Sequence, residues 1–183
     1  GYLWIMNNDG EVYRMNTRTE EFINFNEISS SGPGNYSPVN QIYCFSGGET
    51  WLPTEAGTCI RVISQASSSD YSLQRFECRN ETAPVTSINL ISKDSKGTVW
   101  ILSDSGLFTI SGNDTVPRQK LAPPERNRTG RAFFCLHESG ERLWLGTGNG
   151  TIIVTGHEAE LTEEIRLGIS SDIISIRPLN QRE

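Results

Sequence analysis

Apolar residues come along this chain in short runs of three to six positions, rich in β-branched and aromatic types. Each run is cut off by Gly, Asn, Asp or Ser. VYRM from Val12, CIRV from Cys59, LFTI from Leu107 and IIV from Ile152 are of this kind. So are NQIYCF from Asn40, TSINLI from Thr86 and RAFFCL from Arg131. Runs of this length between turn formers predict strands joined as hairpins, and they leave no stretch for a helix of roughly 10–12 residues.

The runs are organised around tryptophan. GYLWIMNNDG (1–10), GETWLPTEAG (48–57), GTVWILSDSG (97–106) and ERLWLGTGNG (141–150) align on Trp4, Trp51, Trp100 and Trp144, which are 47, 49 and 44 residues apart. A glycine follows each indole by six positions: Gly10, Gly57, Gly106 and Gly150. All 4 tryptophans of the chain occupy this one place. A strand precedes each later copy, and a strand after the glycine leads through a polar turn to a last one, as in FINF from Phe22, LQRF from Leu73 and EIRL from Glu164. Four strands per repeat of about 45 residues is the pattern of a β-propeller blade, which buries its faces only against neighbouring blades. The expected fold is therefore all-β, with four four-stranded antiparallel blades in a single domain spanning residues 1–183. The repeats cover approximately 1–39, 40–85, 86–130 and 131–170, and 171–183 starts or closes a further blade. Four blades would make a very small ring, so an arc of a larger propeller is preferred. The tryptophans read as apolar filler between blades, and the glycines as turn positions needing positive φ or close backbone approach.

Composition narrows the function classes. Charged residues make up 21% and hydrophobic ones 36%, a globular balance. The net charge of −6, from 16 Lys+Arg against 22 Asp+Glu, argues against a nucleic-acid partner. No apolar run approaches the roughly 20 residues that span a bilayer, so no membrane contact is expected of this segment itself. Cys44, Cys59, Cys78 and Cys135 show no metal-site spacing, and with only His137 and His157 neither a metal nor a cofactor is expected. Cys44 and Cys135 read as buried strand residues. Cys59 and Cys78 flank a hairpin turning through SSSD (67–70); a turn centred near 68–69 sets them directly opposite, where a disulfide is feasible.

At this point the residues resemble a known family. DSKGTVWILSDSGLFTI from Asp94 is similar to the two-component regulator propeller repeat, Asp-x-x-Gly-x-[Leu/Val]-Trp-[Ile/Leu]-x-[Thr/Ser]-x-x-Gly-Leu. LWLGTGNG from Leu143 fits the same repeat, and GISSDIISI from Gly168 resembles its lead-in to a new blade. The second copy departs, with Phe45 where the third has Asp94, and the fourth has Glu138 there. The resemblance implies a fragment of a seven-bladed propeller in the periplasmic sensor region of a hybrid two-component histidine kinase of Bacteroides type. It further implies an oligosaccharide ligand, and the remaining blades and the kinase of the parent protein as partners.

No catalytic constellation is evident. His157 lies in the polar turn TGHEAE and reads as solvated; His137 reads as a strand-end residue. SKDSKGTVW from Ser92 approaches a sialidase Asp box but carries extra residues. Two long connections remain as ligand or partner loops: 29–40, with Tyr36, and 122–131, whose Arg126, Arg128 and Arg131 form a basic cluster in an acidic chain. The leading expectation is a non-catalytic sensing module. The alternatives are a propeller-fold lyase or glycosidase, and an interaction scaffold whose free edges would favour a homodimer.

Overall fold

The computed structural model describes residues 1–25, 41–54, 57–64, 70–80, 85–112, 114–122 and 132–178. The chain divides into two compact units, Gly1–Cys78 and Arg79–Glu183. Each unit holds two antiparallel sheets.

The first unit opens with β1 (Tyr2–Met6), β2 (Val12–Asn16) and β3 (Phe22–Asn24), a three-stranded sheet in that order. Its second sheet is β4 (Tyr43–Phe45), β5 (Glu49–Pro53), β6 (Thr58–Ser64) and β7 (Tyr71–Glu77), again in chain order. Val12 and Phe25 pack with Leu52, Ile60 and Val62, and half-buried Trp4, Ile23, Ile42 and Tyr71 close the cluster. Arg14 is fully buried beside them, its guanidinium carbon 3.7 Å from the centre of the Tyr2 ring. Burial lowers its pKa from the ordinary guanidinium value, and the two tyrosines Tyr2 and Tyr71 counter that in part.

The second unit carries β8 (Ile88–Lys93), β9 (Val99–Ser103), β10 (Leu107–Ile110) and β11 (Arg118–Leu121) in one sheet. The other is β12 (Phe133–Ser139), β13 (Arg142–Thr147), β14 (Thr151–Gly156) and β15 (Leu161–Arg166). Trp100, Leu102 and Leu107 of one sheet meet Phe133, Leu143, Leu145 and Ile153 of the other in a single cluster. Every residue of β9 is buried, which is why VWILS reads as a continuous apolar run while the edge strand RQKL is exposed and polar.

The architecture is all-β with propeller-type blades, as the repeat predicts. Three sheets have four strands, and the first has three among the described residues, with the Trp4 strand at its edge. In the other three sheets the Trp strand is paired on both sides, with β4, β8 or β12 on one flank. Residues 172–177 form no strand; Ile173 donates its N–H to the Thr147 carbonyl at 3.0 Å and is buried, while Ile174 is 76% exposed.

Candidate functional site

The tryptophans, equivalent in sequence, occupy two kinds of surroundings. Trp51 and Trp100 are fully buried, whereas Trp4 and Trp144 are half-buried. Trp51 donates its indole N–H to Glu49 Oε1 at 2.8 Å, and the same oxygen meets Arg61 Nε at 2.8 Å. Phe76 stacks on this indole at 5.2 Å between ring centres. Trp100 donates instead to Asp94 Oδ2 at 2.8 Å. The second copy has Phe45 where the third has Asp94, so its acceptor comes from Glu49 on the Trp strand. A buried indole N–H needs an acceptor, and the two blades supply one from different places.

Two turn positions complete the repeat. Gly10, Gly57 and Gly150 have φ of 78°, 68° and 67°, the left-handed region. Gly106 does not; there a Cβ would lie 2.6 Å from the Gln119 side-chain nitrogen and 3.2 Å from the Leu121 carbonyl oxygen. The residue three places after each tryptophan matters as well. Thr54 Oγ1 donates to the Thr58 carbonyl at 3.1 Å, Ser103 Oγ to that of Gly106 at 2.9 Å, and Thr147 Oγ1 to that of Thr151 at 2.9 Å. All three are buried. Asn7 holds this place in the first copy and accepts the N–H groups of Asp9 and Glu11 at 3.0 and 2.9 Å. Alignment on Trp and Gly alone passes over this hydroxyl, although the alignment itself contains it.

The densest polar cluster lies in the second unit, where the two sheets meet. The Asp94 side chain is 1% exposed and accepts four donors: Trp100 Nε1, Thr98 N at 2.8 Å, Lys96 N at 3.0 Å, and His157, whose Nδ1 is 3.1 Å away. Burial by itself would raise this carboxyl, but the hydrogen bonds from Trp100, Thr98, His157 and Lys96 together outweigh it and hold the pKa below the usual carboxylate range. On the other side of the imidazole, Nε2 is 3.4 Å from Glu138 Oε1, an ion-pair distance without hydrogen-bond alignment. Glu138 also receives Ser95 N at 2.9 Å and Ser95 Oγ at 2.6 Å. At the exposed rim Lys96 Nζ meets Glu141 at 2.7 Å.

His157 reaches this position because residues 156–160 fold back tightly. Ala159 sits at φ 61° and donates to the Gly156 carbonyl at 2.9 Å, and Thr155 Oγ1 donates to the Glu160 carbonyl at 2.6 Å. The expectation of a solvated histidine is therefore corrected: only 9% of its side chain is exposed. His137 is in register within β12, opposite Trp144. Chemically, the cluster ties the β8–β9 turn to the neighbouring sheet through the Ser95–Glu138 and His157–Asp94 hydrogen bonds. Among the described residues, no group of three or more His, Cys, Asp or Glu is arranged to hold a metal ion.

Two cysteine expectations change. Cys44 is exposed, because β4 is an edge strand; Cys135 is buried and its thiol donates to the Ile173 carbonyl at 3.2 Å. Cys59 is opposite Phe76 and not Cys78; the hairpin pairs Ser64 with Tyr71 and so runs two residues out of the expected register. A slip of two leaves every side chain on its own face, so the alternation of polar and apolar residues does not distinguish the registers. Tyr36, Arg126, Arg128 and Arg131 lie outside the described residues.

No protein-family model and no curated protein sequence matches the chain. Solved structures do. The extracellular domain assigned to the hybrid two-component system BT4673 from B. thetaiotaomicron superposes with a TM-score of 0.62 at 19% identity, over 98% of this chain and 22% of that one. That assigned to BT3049 from the same organism gives 0.61 at 16%, over 93% and 22%. Dihydro-heme d1 dehydrogenase NirN in complex with DHE gives 0.64 at 12%, over 98% and 38%. The fold is shared with all three. The chain spans about a fifth of the length of these two extracellular domains.

Proposed function

We propose that this chain is a non-catalytic, extracytoplasmic sensing segment of a hybrid two-component system. In this reading it lies in the periplasm and contributes blades to a larger, seven-bladed propeller. The propeller conveys oligosaccharide recognition to a histidine kinase elsewhere in the parent protein. The observation that carries it is the inward use of the repeat's polar groups. Asp94, Glu138, His157, Glu49 and the Trp+3 hydroxyls serve packing between and within sheets, which is what a scaffold requires. Likeness to two extracellular domains of B. thetaiotaomicron signalling systems supports the setting, although fold alone does not carry function. The dehydrogenase NirN shares the fold, so an enzymatic parent is the competing reading.

Arg126, Arg128 and Arg131 are the residues proposed to meet an acidic sugar, since an acidic chain otherwise repels one. Calorimetric titration of the parent ectodomain against neutral and uronic-acid oligosaccharides tests the proposal. Saturable binding, weakened when the three arginines are changed to alanine, is expected. A panel without a binder defeats the oligosaccharide reading, and turnover of a glycan defeats the non-catalytic one.

A further inference from the structure

The second sheet of the first unit carries a cysteine pair with no part in the reading above. Cys59 lies in β6 opposite Phe76 of β7. One step past the end of β7, Cys78 donates its backbone N–H to the Gly57 carbonyl at 2.9 Å, so the pairing continues through Cys78. Residues two apart on a strand share a face, so Cys78 projects beside Phe76, on the side where Cys59 lies. The two cysteines are thus diagonal neighbours. Both are buried, at 0% and 3% exposure, and Cys78 is among the groups that raise the Cys59 pKa.

We infer that Cys59 and Cys78 form a structural disulfide that fastens edge strand β7 to β6 where the chain leaves the first unit. Diagonal Cα atoms in a regular ladder are about 7–8 Å apart, somewhat beyond the disulfide range of about 4.4–6.8 Å. Two features close that gap. Strand twist brings one diagonal nearer, and Cys78 lies beyond the last residue of β7, where the backbone can shift while keeping its bond to Gly57.

The chemistry is an exchange with a disulfide-bearing oxidant such as oxidised glutathione. The two S–H bonds and the oxidant's S–S bond break, and the Cys59–Cys78 S–S bond forms. Two electrons and two protons pass to the oxidant, which leaves as two thiols. Burial, followed by the neighbouring Cys78, pushes the Cys59 thiol well above its ordinary pKa, so in the folded protein Cys59 is a poor nucleophile. That separates this pair from a reactive redox centre: the bond forms during folding, before the sheet closes over it. Its benefit lies at the sheet edge. Between Tyr71 and Phe76, the four residues from Ser72 to Arg75 are exposed in a row, so little packing holds the middle of this strand in place.

The inference does not depend on the sensor reading, and its test involves no ligand. The reduced, unfolded chain is refolded with oxidised and reduced glutathione, then denatured without reductant and alkylated. The expected result is two alkylated thiols, Cys44 and Cys135, and a peptide linking Cys59 to Cys78. Closing a loop of about 20 residues should raise the Tm on the order of 10 °C over the same protein in reductant. Cys59→Ala and Cys78→Ala should abolish that difference. Should either variant fail to fold, Cys44→Ala, altered at an exposed position, must still form the bond and leave one alkylated thiol. Four alkylated thiols, or a bond through Cys44 or Cys135, overturns the inference.

Discussion

Replacing Asp94 by alanine should destabilise the second unit well beyond what loss of one turn residue costs. The carboxylate is the acceptor for Trp100 Nε1 inside a fully buried site and also holds Thr98 N and Lys96 N. An indole N–H buried without an acceptor costs about 1–3 kcal/mol. The two backbone bonds sit at a turn where water replaces them in part, which adds about 1 kcal/mol. The sum, about 2–4 kcal/mol, corresponds to a fall of about 1–2 M in the urea midpoint at an m-value of roughly 2 kcal/mol/M. Urea unfolding followed by far-ultraviolet circular dichroism reads the shift, and hydrogen exchange of the Trp100 indole N–H reports the same site locally. Asp94→Asn keeps Oδ1 for the Thr98 and Lys96 N–H groups but turns an amide NH2 toward Trp100 Nε1, so it should recover only the turn's share, about 1 kcal/mol. A midpoint change under about 0.3 M for Asp94→Ala, with unchanged m and a still-protected indole, would refute the reasoning.

The same carboxylate predicts an acid-side dependence. Its pKa in the fold is lowered, so its contribution is complete above the unfolded carboxylate value of about 3.9 and is lost as pH falls through the lower folded value. Between pH 5 and about pH 2, the wild type should therefore lose stability more steeply than Asp94→Asn, in urea midpoints taken across that range. Gly150→Ala should cost more than Gly140→Ala in a thermal melt. Both have positive φ, worth about 1 kcal/mol, but a Cβ at Gly150 also presses on the Ile169 backbone and side chain, whereas at Gly140 it meets nothing within 4 Å. Trp100→Ala should cost about 3–5 kcal/mol and half-buried Trp144→Ala roughly half of that; equal losses at the two positions would contradict their different burial.

Repetition made most of this fold legible in the chain itself. A tryptophan with a glycine six places on, set among short β-branched runs, reports a local hairpin grammar, and local grammar survives whatever packs around it. That is why the strand order and the Trp strand's place in each later sheet follow from reading alone. Strand β11 escaped that reading because RQKL carries three exposed polar residues and a single apolar one, Leu121, to pack on the core: an edge strand needs only one paired side. The register of the β6–β7 hairpin escaped as well, since two-residue slips leave the pattern intact, and the stack of Phe76 on Trp51 accompanies the register the structure adopts. Which tryptophans are sealed off, which carboxylate receives each indole, and the capture of His157 between Asp94 and Glu138 were settled only by the tertiary structure. The capture of His157 depends on residues 63 and 19 positions apart being brought together. Sequence spacing is blind to such meetings, because the folding of one sheet's turn onto its neighbour creates them.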